Sequence, residues 1–384
     1  MKRLSRVSAA VALSLFGILS WAVAPSPATA AEGELVSRTS TGVAANGDSH
    51  AIALSSDGRF VLFTSNANNL PGPNIDDPDH WLMYRRDVVT GETILVSVAP
   101  SGSRPLAVEG LNGDMSADGS AIAFVSHATT RLGRNVYVRD LATGVTTLES
   151  KRTGGARLPW GQYPQLSRNA RRLAFEAGDN IYGRDLVSGK TRLLLRDDDG
   201  QAGPASWVGP PTISGNGRYI AFEVESDIQP PGCGAGEPHI YDWRTRTFRC
   251  IGTWGYDGPE TVALSSTGRY LAWHEYDLRV SDLLTGETVG SALSTDPQDN
   301  VSWSDDERYL AFSAAGDVSG DVVYRFDRIT GTVDAVTSPG TRVDEGCDPA
   351  VRALTGSGTQ VLVTCVDEVG HRAAYLVTMP SWSL

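Results

Sequence analysis

The chain has 384 residues, a formal net charge of −12 and a sequence pI near 5.0. Such acidity excludes the polyanion binders, because nucleic acid and anionic membrane surfaces repel an acidic chain. Its length alone allows two domains.

The chain opens on a targeting pattern. Lys2, Arg3 and Arg6 precede an apolar run over 7–24, followed by Pro25-Ser26-Pro27 and the small-residue site Ala28-Thr29-Ala30. This predicts a secretory signal peptide over 1–30, cut after Ala30. The apolar run is short for a bilayer span. No twin arginine and no cysteine stand near the site, so neither the twin-arginine route nor lipidation is expected. Losing three cations moves the net charge to −15. A secreted, monomeric protein without a membrane span is expected, in contact with a protein or a cell-envelope component.

The segment 53–65, ALSSDGRFVLFTS, recurs. Its relatives lie at 114–126, 165–177, 212–224, 263–275, 302–314 and 353–365. Each predicts two strands joined by a tight turn. Residues 51–54 run into Ser55-Ser56-Asp57-Gly58, and 59–63 then alternate and carry β-formers. Asp-Gly or Asn-Gly supplies the positive backbone angles such turns need. Asp57-Gly58, Asp118-Gly119 and Asn216-Gly217 obey this, and Thr267-Gly268 and Ser357-Gly358 keep the glycine. Asn169-Ala170 and Asp306-Glu307 lose it, and a different turn geometry is expected there.

A second element follows each opener, at 81–97, 135–150, 180–195, 277–293 and 321–337. Its core is Asp-x-x-[Ser/Thr]-Gly between two β-like runs. Asp87, Asp140, Asp185, Asp282 and Asp327 are read as turn formers whose carboxylates accept backbone N–H groups. A ring of metal ligands is the alternative. The fourth unit, 239–251, has the strands and is expected to lack this turn.

Each unit is therefore four strands. The large residue of the second strand recurs at Phe63, Phe124, Phe175, Phe222, Trp273, Phe312 and Val363, at spacings of 39 to 61 residues. That is the size of a propeller blade with loop insertions. The predicted fold is all-β: a seven-bladed β-propeller of four-stranded antiparallel blades over 31–384. The tail supplies a third strand at 373–379 but no fourth, and residues 34–38 precede the first opener with no partner. The N-terminal strand should therefore complete the last blade, which removes the open sheet edge.

The motif Leu54-Ser55-Ser56-Asp57-Gly58-Arg59-x-Val61-x-Phe63, then Tyr84-x-Arg86-Asp87-x-x-Thr90-Gly91, resembles the WD40-like (PD40) repeats of the TolB family. The resemblance spans almost all of the mature chain and implies a scaffold. TolB itself carries an α/β domain ahead of six blades and works with Pal. That domain has no counterpart here, and seven blades are counted, so the resemblance does not bring the Pal partner with it.

The four cysteines of an exported chain predict disulfides, and blade spacing favours Cys233–Cys250 and Cys347–Cys365. A zinc site lacks the Cys-x-x-Cys spacing. Both tight turns of each blade fall on one face of the ring, and the long connections fall on the other. Loops over a rigid scaffold are the usual seat of binding. Candidate binding residues on that face are His50, Trp160, Tyr163, Trp207, Trp254, Tyr256, Glu260, Asn300 and Asp348. The acidic stretch Asp76-Asp77-Pro78-Asp79 and the run 197–200 are read as solvated charge, with calcium as the alternative. No cofactor, metal or catalytic residue is assigned. There is no Gly-x-Ser-x-Gly, no His-Glu-x-x-His and no phosphate loop. A non-catalytic binding propeller is expected. The alternatives are an extracellular glycan hydrolase or lyase, with carboxylates such as Glu260, Asp299 and Asp348 meeting in the funnel, and a purely structural module.

Overall fold

A computed structural model describes residues 33–73, 80–102, 104–127, 133–195, 207–225, 233, 238–251, 261–274, 278–290, 301–315, 321–336, 351–366 and 369–379. The strands form seven four-stranded antiparallel sheets, each a blade of the ring. The inner strands, in order, are Ser49–Leu54, Val108–Met115, Gly161–Leu166, Thr212–Ile213, Thr261–Leu264, Ser302–Trp303 and Val351–Leu354. A small extra pair, Trp207–Val208 with Val224–Glu225, decorates blade four. No helix occurs among the described residues, and none therefore is long and apolar enough to cross a membrane.

The ring closes as expected. Gly33–Leu35 forms the outer strand of blade seven, with Glu34 opposite Leu376 and Leu35 opposite Tyr375 on Arg372–Thr378. Val36 follows, with no exposed surface, in the cluster that joins blades seven and one.

Seven apolar clusters stand at the seven junctions between neighbouring blades. Strand alternation explains this. In blade one, Val61 and Phe63 face blade seven while Leu62 faces blade two. The repeated large residue is fully buried in every blade. Five of the seven stack on a ring of the third strand: Phe63 on Tyr84, Phe124 on Tyr137, Phe175 on Tyr182, Phe222 on His239 and Phe312 on Tyr324, at 5.6 to 5.9 Å. Each such side chain contributes about 1.5–3 kcal/mol through burial.

The inner turns share one geometry. Gly58, Gly119, Gly217, Gly268 and Gly358 have φ between 68° and 76°. Ala170 and Glu307 occupy the same left-handed region, at 51° and 60°. The expected difference in those two turns is therefore wrong. A hydroxyl common to all seven turns over-determines the backbone. Ser55 Oγ accepts from Phe60 N at 2.8 Å, and Ser116, Ser167, Ser214, Ser265, Ser304 and Thr355 accept likewise at 2.9 to 3.1 Å. That lock holds non-glycine residues where they are otherwise disfavoured.

The outer turns behave similarly. Asp87 Oδ1 accepts from Val89 N and Thr90 N, while Arg59 pairs with Oδ2 at 2.7 Å. Asp140, Asp185, Asp282 and Asp327 also accept backbone N–H groups. These carboxylates are turn chemistry. Blade four has the turn too, against expectation. Asp242 accepts from Arg244 N at 2.8 Å, and Arg246 takes the glycine position at φ 63°.

Backbone hydrogen bonds link the inner turns around the axis: Ser56 N to Ala117 O, Ala117 N to Arg168 O, Arg168 N to Gly215 O, Asn216 N to Ser266 O, Asp305 N to Gly356 O and Gly356 N to Ser56 O, at 2.8 to 2.9 Å. Between blades five and six the Glu307 carboxylate substitutes, accepting from Thr267 N at 2.5 Å.

The Cys233–Cys250 disulfide is present and ties blade four's outer strand to a residue that lies between its second and third strands in the chain. Closing a loop of this size contributes about 3 kcal/mol. The other predicted bridge involves Cys347, which lies outside the described residues; Cys365 is buried and disulfide-bonded.

Candidate ligand-binding face

Of the predicted loop-face residues, Trp254, Tyr256, Glu260, Asn300 and Asp348 lie outside the described residues, as do Asp76, Asp77, Asp79, Asp299 and the run 197–200. Trp207 sits in the small extra strand pair, opposite Glu225. His50 is on the inner strand of blade one rather than in a loop, and its ring lies 5.0 Å from Trp81. Trp160 and Tyr163 stand three residues apart at the start of blade three, and the clearest concentration of function-like features surrounds them.

Both aromatics have left-handed backbones, Trp160 at φ 52° and Tyr163 at φ 49°. Both are exposed, Trp160 by 57% and Tyr163 by 36%. Bulky residues rarely adopt this conformation, and strain of this kind clusters at ligand clamps. The local cause is a bulge. Gln162 pairs with Glu176 and Gln165 with Ala174, so Tyr163 and Pro164 are pushed out of register. The shift recurs at the same place in blades one and seven, and here Pro164, which has no N–H for the ladder, fits the unpaired position. Trp160 lies against Gly133 of blade two, where a Cβ would come within 2.9 Å of the indole. The inner strand of blade two bulges as well: Val108 pairs with Ser126, then Gly113 with Phe124, leaving 109–112 outside the ladder. Bulges of this kind re-aim side chains.

A polar chain runs between these bulges. Glu109 binds His127 Nε2 at 2.9 Å and also pairs with Arg134. Arg134 donates to Gln162 Oε1 at 2.7 Å, and Gln162 Nε2 donates to Glu176 Oε1 at 2.9 Å. Burial pushes the Glu176 carboxyl up, with Asp179 adding to the effect and Gln162 and Arg134 opposing it. Sequence reasoning missed Glu109, His127, Arg134, Gln162 and Glu176. The proline at 164 was the available signal.

Beneath this mouth is the central funnel, a cavity of about 270 Å³ lined by the inner strands of all seven blades. Arg168 closes its turn end. The guanidinium reaches across to Asp305 of blade six and to Ser56 of blade one. Gly215 makes room for it, since a Cβ there would stand 2.5 Å from Arg168 Cδ. Asp114 lines the same cavity, accepting from Leu166 N at 2.6 Å and from Met115 N at 2.8 Å.

Burial lifts the Asp114 carboxyl to about 6, against the pull of those two hydrogen bonds and of the Arg168 charge. A raised carboxyl stabilises the fold fully below the unfolded value near 4, and that stability is lost as pH rises through about 6. The full effect is at most about 3 kcal/mol. Glu176 adds in the same direction. Asp87 and Asp282 act oppositely: Arg59 and Arg269 hold them below the usual carboxylate range, so their contribution is lost only as pH falls below about 4. Urea unfolding from pH 4 to 7 is expected to show declining stability, with a shallower decline in Asp114→Asn. An identical slope in the variant would remove Asp114 as the cause.

The one group of three metal-ligand side chains among the described residues is Cys233, His239 and Cys250, and its two sulfurs are joined in the disulfide.

No protein-family profile matches the chain, and no curated protein matches it. Among solved structures it is similar to an oligogalacturonate lyase in complex with manganese, with 16% identity and a TM-score of 0.63, covering 92% of this chain and 97% of that one. It is similar to an oligogalacturonate lyase from Vibrio parahaemolyticus at 12% identity and a TM-score of 0.61, covering 92% and 98%. Dipeptidyl peptidase 4 of Porphyromonas gingivalis matches at 15% identity and a TM-score of 0.52, over 87% of this chain and 52% of that one. At these identities the likeness is one of fold, and the fold that the chain shares with them is the seven-bladed β-propeller.

Proposed function

We propose that the protein is an exported, PD40-type binding propeller that captures a glycan of the cell envelope on its loop face, at the mouth between blades two and three. The observation that carries this reading is the pair Trp160 and Tyr163, exposed and held in left-handed backbone on either side of Gln162. Aromatic faces stack on the apolar face of a sugar ring, and the Glu109–Arg134–Gln162–Glu176 chain offers donors and acceptors to hydroxyls. Rigid placement reduces the entropy lost on binding. On this reading, residues 1–30 are removed on export, 31–384 act as one monomeric propeller, and no catalytic step is needed.

Sedimentation with insoluble cell-wall polysaccharide tests it, using protein from culture supernatant whose intact mass begins at Ala31. Trp160→Ala should weaken retention about tenfold or more, as loss of a buried aromatic anchor does. Equal retention of wild type and Trp160→Ala would sink the proposal.

A second reading is enzymatic. The solved neighbours include oligogalacturonate lyases, and Asp114 and Glu176 are carboxyls with raised proton affinity. Such groups suit proton transfer near neutral pH. Incubation with oligogalacturonate, followed by absorbance of a newly conjugated double bond, separates the two readings.

A further inference from the structure

The seven inner strands can be compared position by position, because each ends on the hydroxyl residue that locks its turn. Two residues before that hydroxyl stand Ala53, Asp114, Gln165, Thr212, Ala263, Ser302 and Ala353. Three of these side chains do the same structural work: each accepts a backbone N–H from the next blade. Asp114 accepts from Leu166, Thr212 from Leu264 and Ser302 from Leu354. A hydroxyl suffices in blades four and six. Blade two uses a carboxylate instead, and desolvating a carboxylate is costly unless something compensates.

No cationic side chain pairs with Asp114 at ion-pair distance among the described residues. Arg168, whose charge acts on Asp114 from beyond ion-pair distance, is engaged by Asp305. Asp114 also remains only partly covered where it lines the funnel. Asp114 from blade two and Gln165 and Arg168 from blade three stand on neighbouring strands, and Thr212, Ser302 and Arg352 are among the polar residues that line the rest of the funnel. Ile52, Val301 and Trp303 also line it, but they are buried in the clusters between blades. Both polar strands rise to the mouth that carries Glu109 and Gln162.

We infer that the funnel is a blind subsite for a single sugar-sized polyol, with Asp114 and Gln165 accepting from and donating to adjacent hydroxyls. With Met115 N on Oδ1 and Leu166 N on Oδ2, the Asp114 carboxylate keeps a lone pair on each oxygen for neighbouring hydroxyls, whereas a serine that accepts one N–H keeps a single one. The volume of about 270 Å³ lies below the range of roughly 300–1,000 Å³ that holds drug-sized ligands, so one ring fits and a chain does not. This deepens the glycan reading above and rests on it for the source of the ligand: the end unit of a chain held on Trp160 and Tyr163 enters the funnel.

Saturation-transfer NMR on the full secreted chain tests it, with glucose, galactose, N-acetylglucosamine and galacturonate as probes at millimolar concentration. At least one should bind the wild type. Asp114→Ser keeps the acceptor used at Ser302, and should retain the fold while weakening that sugar at least about tenfold. Gln165→Ala, which leaves the Leu166 contact untouched, should weaken it severalfold and serves if the serine variant fails to fold. Trp160→Ala should weaken polymer retention about tenfold and cost monosaccharide binding less than Asp114→Ser does, because the aromatic pair lies outside the funnel. If no monosaccharide binds, or if both funnel variants bind as the wild type does, the subsite is wrong even where polymer retention holds. If monosaccharide binding needs Asp114 but the polymer is never retained, the outer platform is wrong and the funnel stands.

Discussion

A chain lacking residues 33–39 is expected to unfold about 4 kcal/mol more easily than the full mature chain, and to melt about 5 °C lower. The removed segment is short but placed where the ring meets itself. Val36 is fully buried between blades seven and one, and its N–H donates to Ala374 O at 2.8 Å. Burial of one such aliphatic side chain contributes about 1.5–3 kcal/mol, and half-buried Leu35 adds a further part. The segment also ties blade one. Thr93 Oγ1 donates to Arg38 O at 2.7 Å, and Arg86 donates to Thr39 O at 3.2 Å. Without it, Arg372–Thr378 becomes an open strand edge, a template for pairing between chains. Differential scanning calorimetry checks the first part and light scattering the second. An unchanged melting temperature would mean that the last blade holds without its outer strand.

The ring was legible because its signals are local and repeat. A turn needs Asp or Asn followed by a left-handed residue, a second strand needs its large apolar side chain, and seven repetitions make the count secure. The closure was legible by subtraction, from a strand without a partner at one end and a blade without a strand at the other. The two turns without glycine were misjudged because glycine was treated as the cause of the geometry. The buried hydroxyl is an equal cause, and it holds Ala170 and Glu307 at positive φ. Blade four's outer turn was missed for the same reason, since Arg246 stands where glycine was sought.

The site was much less legible. Trp160 and Tyr163 could be chosen as loop-face aromatics, but nothing local announced Glu109, Arg134 or Glu176. Their association depends on inner-strand bulges in two neighbouring blades, and although a bulge recurs in blades one and seven, the residues that it re-aims differ from blade to blade. Asp114 was hidden differently. It reads as one more acidic residue until its blade is laid beside the others, where its counterparts are Ala, Gln, Thr and Ser.

The second large effect is expected at the junction behind this site. Arg184 and Glu149 are both buried, at 5% and 7% exposure, and are joined to each other. Arg184 also donates to Gly189 O at 2.8 Å and Thr191 Oγ1 at 2.6 Å, stapling the outer turn of blade three. Arg86 does the same in blade one, bonding Gly91 O and Thr93 Oγ1. There, however, the place of Glu149 is taken by Val36, which likewise precedes the serine that follows an outer strand. The comparison separates two effects of truncation. Glu149→Ala leaves a buried guanidinium without its carboxylate and opens a cavity as well, at a cost of about 3–5 kcal/mol. Glu149→Val restores the volume and rebuilds the environment that Arg86 already tolerates, so it should cost about half as much. The loss should reach the ligand face too. Ser150, next in the chain, accepts from Val136 N and packs against Gly161, so loosening Glu149 shifts the residue that carries Trp160. Urea unfolding of the two variants, with sugar-polymer retention measured on the same samples, reads both consequences. A cost below about 1 kcal/mol for Glu149→Ala would show that the turn oxygens alone satisfy Arg184, and that the ion pair contributes little beyond them.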